Sequence, residues 1–269
     1  MQPKTAEWVE RSARLGYAAK GFVYITVGIL ATLAAFNLGG ETTNSSGALQ
    51  AIARQPFGQI LLAIVAIGLA GYVLWRFVQA IQDPEHPNSH GAEAIFRRLG
   101  YGLNGLVYAG VAYTAVQILA KAQGSAEGNS TQLWTARLMA QPFGQWLVGT
   151  VGAFTIGFGF YYFYRAVKTK FREKLKLHRM SQAEQTWATR LGVLGMAARG
   201  VVFVIIGAFL IQAARQADPS EAKSSEGALQ ALQQNDPWGG VLLGVVALGL
   251  VAYGIQLLVQ ARYRRIDPT

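Results

Sequence analysis

The chain has 269 residues, 52% hydrophobic and only 14% charged, with no cysteine, a mean hydropathy of +0.25 and a formal net charge of +10. A soluble domain carries about a quarter charged residues, so this composition excludes an ordinary soluble globular domain. The missing cysteines exclude disulfides, a thiolate nucleophile and an iron–sulfur site.

In chain order, the first fourteen residues are polar and carry Lys4, Arg11 and Arg14. Residues 21–40 then hold no Asp, Glu, Lys or Arg, and the same is true of 55–75, 99–120, 138–164, 200–214 and 237–261. A helix rises about 1.5 Å per residue, so about 20 apolar residues cross a hydrocarbon layer of about 30 Å. The runs lack period-two alternation and are too long for strands. Lipid offers no water to backbone groups, so a spanning segment is a helix or part of a closed barrel. The chain is expected to be all-α, a polytopic membrane bundle with helices at about 18–38, 57–80, 99–120, 143–166, 191–214 and 238–262. The first run is too long for a signal-peptide core and reads as an uncleaved span.

The same pattern is written three times. Arg14-Leu15-Gly16-Tyr17 with Lys20-Gly21-Phe22-Val23-Tyr24 returns as Arg98-Leu99-Gly100-Tyr101 with Asn104-Gly105-Leu106-Val107-Tyr108. It returns again as Leu194-Gly195 with Arg199-Gly200-Val201-Val202-Phe203. A second signature opens the second helix of each unit: Gln55-Pro56-Phe57-Gly58, Gln141-Pro142-Phe143-Gly144 and Asp236-Pro237-Trp238-Gly239. Such repeats set an architecture. One membrane domain, 1–269, is expected to contain repeats at 11–83, 94–167 and 187–264, with a basic cytoplasmic linker at 168–186. The three parallel helix–loop–helix units are expected to surround a pseudo-threefold axis. The loop inside each unit ends in a short helix lying on the outer surface, its N-cap oxygens supplied by serines such as Ser45 and Ser46. The proline that follows fits the first turn of the next helix. The middle loop, with Leu133, Trp134, Leu138 and Met139, is the most apolar.

Gly21, Gly28, Gly105, Gly200 and Gly207 fall at matched places and read as helix-packing positions, since helices in lipid associate by close contact over small residues. A second stripe, at i, i+3 and i+7, runs Tyr17, Lys20, Tyr24, then Tyr101, Asn104, Tyr108, then Met196, Arg199, Phe203. Lys20 lies about 9 Å deeper than Arg14 by helical rise. One reading makes Lys20 and Arg199 interfacial anchors that snorkel to the headgroups. The other makes Lys20, Asn104 and Arg199 a polar ring or an anion and lipid site, because intramembrane charge marks function.

Nineteen of the 24 Lys and Arg residues lie in the N-terminus through Lys20, in 76–98, in 165–199 and in the C-terminus. Only Arg54, Lys121, Arg137, Arg215 and Lys223 lie in the other connections. Positive residues of short loops stay inside, so both termini are expected to be cytoplasmic. The basic balance is then a topology signal strengthened by anionic lipid, and it calls for no nucleic acid. The cluster from Lys168 to Arg179 reads as a solvated linker helix at the headgroups, with an acidic docking partner as the alternative.

No span holds a histidine, so a haem held by two histidines is excluded; His86, His90 and His178 lie in connections. His86 and His90 with Asp83 and Glu85 read as a polar loop rather than a metal site. Asn44-Ser45-Ser46 and Asn129-Ser130-Thr131 fit a glycosylation pattern that is short and often met by chance. There is no nucleotide-binding or hydrolase motif, and neither a cofactor nor a metal is expected.

The repeated Arg-Leu-Gly-Tyr opening and the three two-helix units resemble the bacterial domain of unknown function 1206 family over about residues 11–264. The resemblance implies a six-helix, three-repeat membrane protein and no activity. The third copy departs from it, with Arg190 set three residues further from Gly195 and Met196 in place of tyrosine. The expectation is a bacterial inner-membrane protein that is not an enzyme. It is read as a small-solute or ion pathway or a lipid-binding bundle, in contact with the bilayer and anionic lipids. The alternative is an accessory or assembly subunit bound to a membrane-protein partner or to a second copy.

Overall fold

The computed structural model describes residues 3–85, 91–120, 130–235 and 237–266. His86, His90, Lys121, Asn129 and Asp236 of the sequence reading lie outside the described residues. Among the described residues nine α-helices follow one another: α1 Pro3–Ala35, α2 Ser45–Ala53, α3 Gly58–Gln82, α4 Ala92–Leu119, α5 Ser130–Met139, α6 Gly144–Val167, α7 Gln182–Gln216, α8 Ser225–Gln233 and α9 Gly239–Tyr263. Six of them, α1, α3, α4, α6, α7 and α9, are long and apolar enough to cross a membrane. Among the described residues the only β pairing is an isolated bridge between Leu175 and Arg264.

The first helix of each unit begins earlier than the apolar run does. In α1, ion pairs Glu7–Arg11 and Glu10–Arg14, four residues apart, extend the helix ahead of its apolar run. Before α7, Ser181 and Glu184 form a reciprocal capping box. The caps of the short helices differ from expectation. Asn44, not a serine, caps α2 by accepting from Ser46 N and Gly47 N, because its longer side chain reaches both orphan donors. No side-chain bond caps α8 at Ser224.

The prolines also sit elsewhere. Gly58 N donates to Gln55 O at 2.8 Å and Gly144 N to Gln141 O at 2.9 Å, so Pro56 and Pro142 occupy a turn ahead of each helix. Phe57 and Phe143 take left-handed φ of 60° and 61° in that turn. The glycine after it is required: a Cβ on Gly58 would lie 2.3 Å from Ile52 O, and one on Gly144 2.4 Å from Leu138 O.

Packing links the spanning helices as α4–α3–α1–α9–α7–α6. In this order the second helix of each unit meets the first helix of the next: α3 with α4, α6 with α7, α9 with α1. Within a unit, α1 packs on α3 and α7 on α9, but α4 and α6 of the middle unit are not a packed pair. In the most apolar stretch of α4, as of α6, 17% of residues are buried, against 61% in α9.

Both ends of the bundle are covered. At one end α2 sets Ala48, Leu49 and Ile52 into the core, and α8 sets Ala228 and Leu229. Asn44 Nδ2 donates to Glu226 Oε2 and Gln132 Nε2 to Ser220 O, which ties the three connections together. At the other end lie the linker and the C-terminus. The linker is not a solvated helix. It forms two 3-10 turns, Lys170–Lys174 and Leu177–Arg179, and buries Phe171, Leu175 and Met180. Phe171, Leu175 and Met180 turn into the bundle and Lys174 reaches Glu85 beside them, while Glu173, His178 and Arg179 stay exposed. Phe171 fills the space left by Gly192, where a Cβ would lie 2.4 Å from its ring.

Candidate functional site

All three stripes of the first helices meet inside the bundle. Lys20 is 2% exposed and Arg199 7%. Tyr72 Oη of α3 is a hub: it accepts from Lys20 Nζ and from Arg76 Nε, both at 2.8 Å, and donates to Asn104 Oδ1 at 2.8 Å. Lys20 Nζ also lies over the ring of Tyr108, 4.0 Å from its centroid. Tyr108 Oη donates to Tyr24 Oη at 3.1 Å, and the Tyr24 ring meets Tyr253 edge-on. Tyr253 Oη accepts from Arg199 Nη1 at 2.6 Å. The guanidinium of Arg199 lies between the rings of Tyr24, Tyr162, Phe203 and Tyr253. Lys20 and Asn104 thus meet directly at one hydroxyl, while Arg199 stands apart, joined to them through a run of tyrosine rings.

Tyr17 and Tyr101 face a second tier nearer the termini. The guanidiniums of Arg76 and Arg264 lie over the Tyr17 ring, and Arg76 and Lys174 over that of Tyr101. Met196, in the place of these tyrosines, is buried against Phe171 of the linker. Here the carboxylate in contact is Glu85, which accepts from Lys174 Nζ and Arg264 Nη2, both at 2.7 Å. Burial opposes its ionisation, but Arg264 and Lys174 beside it hold its carboxyl down at about 2. Lys174 is pushed down to about 8 by burial and by the neighbouring Arg264, against the pull of Glu85. The direction set by the geometry is that of Glu85, a single carboxylate between two cations. Backbone bonds fix the tier, with Lys176 N donating to Tyr263 O and Arg265 N to Lys174 O.

The belt itself holds no acid. Among the described residues, Lys20, Arg76 and Arg199 have no carboxylate within ion-pair distance, and tyrosine hydroxyls, ring faces and, for Arg76, the Gln79 amide oxygen at 2.7 Å serve in its place. A ring face attracts a cation, more strongly where water is excluded, but it carries no net charge. Rings fill this interior, and the two depressions described in the structure lie elsewhere, beside Arg172 and Arg190 and beside Ile211 and Arg215. No group of three or more metal-ligating His, Cys, Asp or Glu occurs among the described residues.

Neighbouring helices come close to the glycines singled out in the sequence. A Cβ on Gly21 would fall 2.7 Å from Gly254 O, on Gly28 2.7 Å from Val251 N, and on Gly207 2.6 Å from Gly152 O. Gly200 would meet Gly159 O at 3.0 Å, and Gly105 the Arg76 side chain at 3.3 Å. Sequence reasoning missed Tyr72, Tyr253 and Arg76. A signal existed for the two tyrosines, because each stands fourteen residues after the glycine that opens its helix. Arg76 has no basic counterpart in the other repeats, where Tyr162 and Leu257 occupy its place.

Fold and site together define a multi-pass helical membrane protein of three repeated units with a cation-lined interior. Its repeats match the family described as Domain of Unknown Function (DUF1206) at residues 15–83, 99–169 and 194–264, and the chain belongs to that family. It is 38% identical over 267 residues to an uncharacterised protein of Bacillus subtilis (strain 168), YxxB, covering 99% of this chain and 95% of that one. No solved structure matches it.

Proposed function

We propose that the bundle is a non-catalytic membrane protein that binds an anionic group, a small anion or a lipid headgroup, at the Lys20–Arg199 belt. One observation carries this reading: Lys20, Arg76 and Arg199 are enclosed among spanning helices with tyrosine and glutamine partners and, among the described residues, no carboxylate. Enclosed charge is costly and is kept where it has a use. Arginine takes a phosphate or carboxylate through two parallel hydrogen bonds, and lysine adds a point charge. The three units are proposed to form a ring about a pseudo-threefold axis, held by their matched glycines. Supporting this, Arg14 bonds Ala261 O and Arg262 O of α9, and Arg98 bonds Ala80 O and Ile81 O at the equivalent places of α3. Both termini are proposed to face the cytoplasm across a bacterial inner membrane, a reading supported by the distribution of basic residues.

The test compares Lys20→Gln with Arg199→Gln in one chain against the parent, for co-purified anionic lipid and for anion flux in liposomes. A loss of bound lipid or of flux in a folded variant is the expected result. Unchanged values in a folded variant would return both residues to the role of structural anchors. The second reading, an accessory subunit, is favoured by the middle unit. Gly100, Gly110 and Gly157 have nothing within 4 Å of a built Cβ, so α4 and α6 leave room at these places for another helix. Purification with a stoichiometric membrane partner or as a homo-oligomer would support it.

A further inference from the structure

We infer that the unpaired edge between α4 and α6 is a lateral opening through which a bilayer phospholipid with an anionic phosphate headgroup reaches the belt. This rests on the anion-binding reading and names both the ligand class and its route.

The opening has a cause in the sequence. In the first and third units the two helices touch through small residues: a Cβ on Gly68 would lie 2.5 Å from Ala19 Cβ, and one on Gly249 2.4 Å from Ala198 Cβ. The same positions in the middle unit are Leu103 and Phe154, which are 64% and 71% exposed. Two bulky side chains stand where the other units have alanine against glycine. The polar lock is missing as well. Lys20–Tyr72 and Arg199–Tyr253 bridge the first and third units, whereas the middle one has Asn104 and Phe158, which cannot make that bond. Asn104 turns to Tyr72 of the neighbouring unit instead.

The route follows from what is closed. The end carrying the termini is covered by Phe171, Leu175 and the Glu85–Lys174–Arg264 cluster. The opposite end is covered by α2 and α8 and by the bonds joining the three connections. The side between α4 and α6 lacks a packed helix pair, and it is walled by Leu103, Phe154 and Phe158, which suit an acyl chain. Behind it the partly exposed Tyr24, Asn104, Tyr162 and Phe203 lead to Arg199. Arg199 is nine-tenths buried, yet among the described residues only its Nη1 has a hydrogen-bond partner, which leaves the rest of its donor fork for a ligand. An amphiphile that stays in the bilayer plane satisfies both halves of this geometry, and a free anion in water satisfies only one.

The chain has no cysteine, so a single pair can be introduced. Gly100→Cys with Gly157→Cys, at open positions that leave Leu103 and Phe154 in place, is purified, placed in nanodiscs of phosphatidylcholine, and joined across the opening with a bismaleimide. Uptake of labelled phosphatidylglycerol is then compared with the unjoined protein. Uptake at least tenfold slower after joining, with phosphatidylcholine label never retained, is the expected result. Equal uptake by joined and unjoined protein overturns the lateral route, as does release of the label from the joined protein by inorganic phosphate. The anion-binding reading is tested separately with Arg199→Gln, and with Arg199→Lys, which keeps the charge and loses the fork. If both retain phosphatidylglycerol as the parent does, that reading fails whatever the joined protein shows.

Discussion

The first and third units are closed hairpins and the middle one is splayed, although all three share one pattern. The repeated pattern governs the surfaces that face the next unit. Gly21 against Gly254 in the contact of α1 with α9 has its equivalent in Gly200 against Gly159 in the contact of α7 with α6. The surfaces inside a unit are set by a few other positions. Where these are Ala19 and Gly68, or Ala198 and Gly249, backbones approach; where they are Leu103 and Phe154, they do not. Without a hydrophobic drive between helices in lipid, a seam needs close contact and polar bonds, and among the described residues the middle unit has neither between α4 and α6. The lesson is that repeat identity and helix pairing are separate properties of a membrane chain.

The largest effect expected from this contrast is at the glycine four residues before the stripe cation. A Cβ on Gly16 would lie 2.4 Å from Tyr72 N, and one on Gly195 2.4 Å from Tyr253 Cα, while Gly100 has nothing within 4 Å. Gly16→Leu and Gly195→Leu therefore cost about 3 kcal/mol or more by overpacking against backbone. Gly100→Leu leaves the melting temperature in detergent unchanged. Equal melting of all three would show that the closed and splayed hairpins do not differ at this seam.

Glu85 sharpens the comparison at the termini, where it joins the loop after α3 to the linker and the C-terminus. Glu85→Gln leaves Arg264 and Lys174 together without a counter-charge and costs about 3 kcal/mol. The pH dependence has a definite sign. The folded carboxyl sits at about 2, below the unfolded value of about 4.3. Its contribution is complete above about pH 4.3 and is lost as the pH falls toward 2. The melting gap between parent and variant should narrow over that window, and a gap that stays constant would remove Glu85 as its source.

A smaller effect is expected at the hydroxyls that bridge the closed hairpins. Tyr72→Phe and Tyr253→Phe remove bonds to charged donors and cost about 1.5–3 kcal/mol each. Phe158→Tyr, at the equivalent middle position, changes stability by less than about 0.5 kcal/mol. A stabilising Phe158→Tyr would mean that α6 can reach Asn104 after all. Orientation is checked without perturbing the fold: a reporter fused after Thr269 is expected inside, and one near Gly128 outside.

Much of this molecule is legible in its sequence. The charge-free runs are local facts, because a span must satisfy its own backbone and exclude ionised groups over about 30 Å. The repeats fixed which positions are equivalent, and so singled out Lys20, Asn104, Arg199 and the tyrosines beside them. Tertiary structure decided what those positions touch. It brought Tyr72, Arg76 and Tyr253 of the second helices to the stripe, turned the linker inward through Phe171, and replaced the proline-started helices with turns at Pro56 and Pro142. It also left α4 and α6 apart. The physical reason is that periodicity along a chain reports which face of a helix is apolar or small, whereas pairing depends on the volumes that two distant faces bring to the same place.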